Sequence, residues 1–101
     1  KCIRDRSKNL LLQRIRVMLE ENSEALRVQD LICTGLADQA EAAREANAQL
    51  DMATATPEEI RAAIKRLDRA VAPLQEENDK LKALLEEGKR LNRRAKELLE
   101  M

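Results

Sequence analysis

The feature that most constrains this chain is a stripe of apolar side chains that recurs at alternating steps of three and four residues. In the first half of the sequence it runs from residue 12 to residue 50, if Asn22, Gln29 and Asn47 are counted as polar members. Such spacing, sustained over about five heptads, indicates one face of an α-helix that pairs with another helix. The apolar members are Leu12, Ile15, Leu19, Leu26, Cys33, Leu36, Ala40, Ala43 and Leu50.

A second stripe with the same alternation follows residue 57. Thr56 can cap a helix, Pro57 suits the first helical position, and Glu59 completes a capping box, so we predict that a second helix begins at Pro57. The alternation runs through Asn78, Gly88, Asn92, Ala95 and Leu99, and it is widened by Leu84, Leu91 and Leu98. The residues predicted to pair with the first helix are Ile60, Ile64, Leu67, Val71, Leu74, Leu81, Leu85, Leu91 and Leu98.

The two stripes predict an all-α fold, a long antiparallel helical hairpin of the coiled-coil type. A linker of about four residues forces the two helices antiparallel. We expect a helix over about 3–52, a turn over about 53–56 and a second helix over about 57–100, kinked at Pro73. The numbers of facing residues then add to about 110, so that Leu12 meets Leu98 and Leu50 meets Ile60. We favour a first helix that continues through Gly35 over a third helix beginning near Ala37.

Composition excludes most chemistry. The chain has no Phe, Trp, Tyr or His, and 38% of its residues are charged, with a formal net charge of zero. Without aromatic side chains a roughly spherical core is not expected, and without His neither a Glu-x-x-His metal site nor a triad of the serine-protease type can form. We therefore predict a non-catalytic module with no cofactor, no metal site and no small-molecule substrate.

The cysteines and the apolar runs bear on location. Cys2 and Cys33 form no metal-binding motif, and we read them as reduced thiols of an intracellular protein, cytoplasmic or nuclear. No apolar run approaches the ~18 residues of a transmembrane helix. Because the chain opens on Lys1, we expect it to be a piece of a longer protein.

The first helix carries more apolar side chains than one seam can bury. Leu10, Val17, Val28 and Leu31 lie on the side away from the stripe, and we call them the outer face. A helix that is apolar on two sides is typically buried on two sides. We therefore expect further protein helices to cover this face, from copies of this chain or from another subunit, to make a bundle of about four helices. A lone hairpin with scattered exposed aliphatics is the alternative.

Two polar features complete the pattern. Asn78 is predicted to set register, because a buried Asn in a coiled coil fixes pairing at a cost in stability. The segment from Leu74 to Leu85 resembles a leucine-zipper heptad with its polar layer, a likeness that implies helix pairing without basic-region DNA binding. Basic residues also collect at the chain ends, which the register brings together as a basic tip. Its candidate anion-binding residues are Arg4, Arg6, Arg14, Arg90, Arg93 and Arg94.

These features favour a structural interaction or oligomerisation module, a coiled-coil segment of a larger complex. The competing hypothesis is a binder of nucleic acid or anionic lipid that uses the basic tip and keeps the hairpin as a spacer. It is not favoured, because no aromatic side chain is present to stack on bases. An engineered scaffold is disfavoured by the two cysteines and by Gly35.

Overall fold

A computed structural model describes residues 3–100 of the chain, with side chains from residue 5 onwards. It consists of two helices, α1 over Ile3–Ala48 and α2 over Pro57–Glu100, and no strand occurs in this range. The helices pack against each other, so the predicted all-α helical hairpin is confirmed. The side chain of Arg4, a predicted site residue, lies outside the described part of the chain. Cys2 lies outside it as well.

The loop between the helices is longer than the sequence suggests. α1 ends at Ala48 rather than near residue 52, and the connection covers residues 49–56. Asp51 organises this loop, since its carbonyl accepts the N–H groups of Thr54 and Ala55 at 3.1 and 2.8 Å and its carboxylate accepts that of Ala53 at 3.0 Å. Asp is favoured in turns for this capacity to hydrogen-bond the following backbone. The bond to the carboxylate diverts the Ala53 N–H, which a continued helix would direct to the carbonyl of Gln49, and this competition accounts for the earlier end.

α2 begins at Pro57 as predicted, and the structure shows the Thr56 half of the predicted capping box. The N–H of Glu59 donates to the Thr56 hydroxyl at 3.2 Å, and the N–H of Ile60 donates to the Thr56 carbonyl at 3.1 Å. Pro57 occupies the first helical position, where its missing N–H costs no helical bond. α2 then continues through Pro73, and α1 continues through Gly35, so no third helix begins near Ala37.

The chain divides into two compact units. The first joins α1 up to Val28 to α2 from Leu81 onwards, and the second covers Gln29–Lys80 with the loop. In the first unit a buried cluster of Ile15, Leu91 and Leu98 is surrounded by half-buried neighbours. These neighbours are Leu12, Leu19 and Ala95. Contact between the first turns of α1 and the last turns of α2 makes the pairing antiparallel in this unit.

The buried positions of the second unit are occupied by smaller side chains, including Cys33, Ala40 and Ala43. Small side chains let helices approach closely but bury less apolar area per residue. Across the described residues no large side chain is completely buried. Pairing of α1 with α2 therefore gives only a thin core.

Candidate interaction surfaces

The seam side of α1 follows the predicted stripe. Buried and half-buried side chains recur along the helix at steps of three and four, with Leu, Ile, Cys and Ala at most positions and carboxamides at three. The seam members are Leu12, Ile15, Leu19, Asn22, Leu26, Gln29, Cys33, Leu36, Ala40, Ala43, Asn47 and Leu50. The structure thus places every apolar residue predicted for this side at least partly inside.

The seam side of α2 follows the predicted alternation only in part. Ile60, Leu67, Leu74 and Leu81 are half-buried as expected, but Ile64 and Leu85 are 56% and 45% exposed. Side chains one residue earlier are half-buried or buried, namely those of Ala63, Ala70, Glu77, Leu84, Leu91 and Leu98. The predicted placement of Ile64 and Leu85 in the pairing seam is therefore corrected, and Val71 and Asn78, which are half-buried, lie at the seam edge.

The two sets of α2 positions differ by one residue, and we call them two phases of the stripe. The phase that the structure adopts has a physical reason near the end of α2. Both phases alternate steps of three and four, so periodicity alone permits either. The observed phase buries Leu91 and Leu98, both 3% exposed, and leaves Asn92 and Leu99 in solvent. Burial of Leu91 in place of Asn92 avoids the cost of desolvating a carboxamide and gains the burial of a large aliphatic side chain.

Three carboxamides on the seam side of α1 make the side-chain hydrogen bonds that run from α1 to α2. Each donates to a backbone carbonyl: Asn22 to Leu84 at 3.0 Å, Gln29 to Glu77 at 2.8 Å and Asn47 to Ala63 at 2.8 Å. A helical carbonyl already bonded to its own N–H partner has a second lone pair that can accept such a donor. Of the seven ion pairs found among the described residues, three join residues of α1 to each other and four join residues of α2, so none connects the two helices.

The site of Asn22 depends on a glycine opposite it. A Cβ atom placed on Gly88 would lie 2.7 Å from the Asn22 Oδ1 atom, closer than such atoms normally approach. Leu84, whose carbonyl accepts the Asn22 amide, precedes Gly88 by one helical turn. The missing side chain at Gly88 therefore leaves the space in which Asn22 reaches that carbonyl. Gly35 differs, because nothing lies within 4 Å of a Cβ built there.

Gln29 makes a broader polar contact in the second unit. Its amide also donates to the Glu77 carboxylate at 2.7 Å, and Lys80 contacts the other oxygen of that carboxylate at 3.1 Å. The hydrogen bond from Gln29 and then that from Lys80 lower the pKa of the Glu77 carboxyl. Asn47 is similarly supported, since Arg66 donates to its Oδ1 atom at 2.8 Å. Asn78 takes part in none of these inter-helix bonds, so its register-setting role stays a prediction.

The outer face of α1 is exposed. In the first unit, Leu10, Val17 and Val28 are 61%, 51% and 44% exposed, and Leu11 and Met18 lie on the same side. An open surface groove of about 700 Å³ runs along α1 from Ser7 to Met18 and is lined by four of these side chains. In the second unit Leu31 is 61% exposed and Ile32 is 42% exposed.

The basic tip is partly neutralised by neighbouring carboxylates. Arg90 bonds to Glu87 and Arg94 bonds to Glu97 at 3.5 Å. The hydrogen bond from Arg90 lowers the pKa of the Glu87 carboxyl. Arg6, Arg14 and Arg93 are exposed and make no ion pair within the described chain. The predicted anion-binding residues therefore differ in how much charge they can offer.

Residues 3–100 also bear on metal binding, cysteine chemistry and membrane spanning. No three Cys, Asp or Glu side chains in that range lie close enough together to hold a metal ion. Cys33 is a free thiol buried in the seam. Neither described helix has a stretch sufficiently long and apolar to traverse a lipid bilayer. Comparison with protein-family models, curated proteins and solved structures found no match to this chain.

Proposed function

We propose that this chain is a non-catalytic helix-pairing module that holds a larger assembly together through the outer face of α1. The observation that carries the proposal is the exposure of large aliphatic side chains, among them Leu10, Val17 and Leu31, on the side of α1 away from the seam. Each large aliphatic residue left in water forgoes ~1.5–3 kcal/mol of burial. Another helix laid along α1 would recover part of that free energy.

The polarity of the seam supports the same role. α1 and α2 build a thin core without a fully buried large side chain among the described residues, and three of its seam positions are carboxamides. Added apolar contact on the outer face would therefore contribute a large share of the total burial. An assembly partner present above its dissociation constant should raise the free energy of unfolding with the logarithm of its concentration.

Site-specific photo-crosslinking in native cells tests the proposal. A benzophenone amino acid at Val17 should give protein adducts whose crosslinked peptide maps to a helix of the partner. The same group at Glu76, an exposed position on α2, serves as the matched control and should give few adducts. Equal labelling from both positions, or no protein adduct from Val17, would contradict the proposed role.

A third position reports on the competing function. Arg93 is an exposed, unpaired member of the basic tip, so nucleic acid or lipid bound there would be crosslinked from position 93. Ion pairing of Arg90 and Arg94 within α2 reduces the charge that the tip offers to an anion. For that reason the helix-pairing role is the one we put forward, and anion binding stays the competing hypothesis.

A further inference from the structure

We infer that the partner covering the first-unit part of the outer face is a second copy of this chain, laid antiparallel along α1 between residues 7 and 28. This inference rests on the proposed helix-pairing function and names its partner. It starts from two of the charged residues that lie among the exposed aliphatics, Arg14 and Glu21. Both are exposed, and they follow each other by one heptad on the same line of the helix surface.

Within residues 14–27, Arg14 and Glu21 are the two ionic side chains that make no ion pair. The other four ionic side chains between residues 14 and 27 are paired within α1, Arg16 with Glu20 at 3.3 Å and Arg27 with Glu24 at 2.6 Å. Seven residues of helix separate Arg14 from Glu21 by ~10 Å, too far for a direct bond between them. The pair thus places one positive and one negative charge without an ion partner in a mainly apolar strip, whose other charged member, Glu24, is bonded to Arg27.

A two-fold related copy satisfies both charges at once. With the axis beside Met18, Arg14 of each copy comes within about a turn of Glu21 of the other, which makes two ion pairs. A C2 contact is self-complementary: if residue 14 of the first copy meets residue 21 of the second, then residue 21 of the first meets residue 14 of the second. The same axis places Leu10 of one copy opposite Ala25 of the other, and Val28 opposite Ser7, within a helical turn of Leu10 and Leu11. Val17 and Met18 then lie at the centre.

Other arrangements of two copies are disfavoured. In a parallel dimer, Arg14 would face Arg14 and Glu21 would face Glu21 inside an apolar contact, and like charges there are repulsive. An uncharged apolar helix from another protein would cover the aliphatics but leave both charges without partners in a less polar environment, which is costly. The antiparallel copy buries the aliphatics and pairs the charges with residues that the chain already has.

Charge reversal tests the inference on the whole chain. Sedimentation equilibrium should show a dimer, and Arg14→Glu or Glu21→Arg alone should raise its dissociation constant at least tenfold, because each creates two like-charged contacts. The double variant Arg14→Glu/Glu21→Arg should recover an affinity within about threefold of the original. Arg93→Glu, which changes net charge as Arg14→Glu does but lies on α2, should leave the dimer unchanged. Circular dichroism would verify that each variant is helical.

Three results would overturn the inference: a chain that is monomeric at all concentrations, a dimer indifferent to the single reversals, or a double variant that does not recover. A parallel dimer belongs to the second case, since its like-charge contacts persist after either reversal. If the chain is monomeric while Val17 adducts map to a helix of a different protein, the second copy is wrong and the helix-pairing function stands. If position 17 also gives no protein adduct, both fail.

Discussion

Because Asn22 lies against Gly88 and nothing lies against Gly35, we expect substitution by alanine to affect the free energy of unfolding differently at these two glycines. Gly35→Ala should raise the free energy of unfolding by ~1 kcal/mol, because Ala is the better helix former and nothing lies within 4 Å of the added atom. Gly88→Ala gains the same propensity but brings its Cβ to 2.7 Å from the Asn22 Oδ1 atom. To relieve that contact, Asn22 must rotate and give up its bond to the Leu84 carbonyl.

The magnitude follows from that lost bond. A net hydrogen bond is worth ~0.5–1.5 kcal/mol, and a buried group left without a partner costs ~1–3 kcal/mol. Set against the ~1 kcal/mol gain in helix propensity, Gly88→Ala should change stability by between about zero and −2 kcal/mol. In an Asn22→Ala background there is no amide oxygen to meet, so Gly88→Ala should then stabilise by ~1 kcal/mol. The coupling energy between the two positions should be ~1–3 kcal/mol.

Thermal and urea unfolding followed by circular dichroism would measure these four free energies. Protein concentration must be equal in all samples, because association shifts apparent stability. For a chain of this size each kcal/mol moves the melting temperature by ~4–8 °C, so the two glycine variants should separate clearly. If Gly88→Ala stabilises as much as Gly35→Ala, or if the coupling energy is below ~0.5 kcal/mol, Asn22 does not hold the position described.

Three further predictions concern the polar groups. The lowered pKa values of Glu24, Glu77 and Glu87 mean that their pairing stabilises the fold above the unfolded glutamate pKa. That stability is lost as pH falls below about 4, so urea midpoints at pH 7 and pH 3 should differ less in Glu77→Gln than in the parent. Asn78→Leu should raise the melting temperature and broaden the oligomer distribution in light scattering, because a polar seam-edge group is replaced by an apolar one; a lower melting temperature would count against its seam position. Titration of the chain with a DNA duplex or anionic vesicles should give no saturable binding at moderate salt, whereas an affinity that falls steeply with salt would support the basic tip as a binding site.

The first stripe could be predicted from sequence because it permits a single phase. Between residues 12 and 50 only one choice of alternating three- and four-residue steps keeps Leu12, Ile15, Leu19 and Leu36 together, and the structure uses it. The end of α1 was harder to predict, since it depends on the hydrogen bond by which the Asp51 carboxylate takes the Ala53 N–H from the helix. Helical periodicity carries no information about such competing local bonds.

The second stripe could not be fixed in the same way. Leucines occur in adjacent pairs at Leu84 and Leu85 and at Leu98 and Leu99, so two phases one residue apart both give an apolar line. The phase that the structure adopts buries Leu91 and lets carboxamides of α1 meet carbonyls of α2. Those carboxamides were visible as polar members of the first stripe. Their backbone acceptors were not, because any residue supplies a carbonyl and the sequence does not mark which one is reached.

The two faces of α1 carry different polar groups, and this difference would prevent each face from binding the other face's partner. Asn22 and Gln29 in the seam are neutral donors whose acceptors are carbonyls of α2, and Asn22 also requires the space left by Gly88. Arg14 and Glu21 on the outer face are opposite charges that we infer to match a second copy of themselves. If a second α1 displaced α2 from the seam, Asn22 would meet a helix with no glycine to admit it unless the register brought Gly35 there. If α2 packed on the outer face, Arg14 would approach a helix end already rich in Arg, and repulsion would oppose the exchange. The aliphatic side chains therefore supply the attraction on both faces. Specificity comes from the polar groups, because a wrong partner would leave the seam carboxamides or the outer-face charges without hydrogen-bond or ion partners.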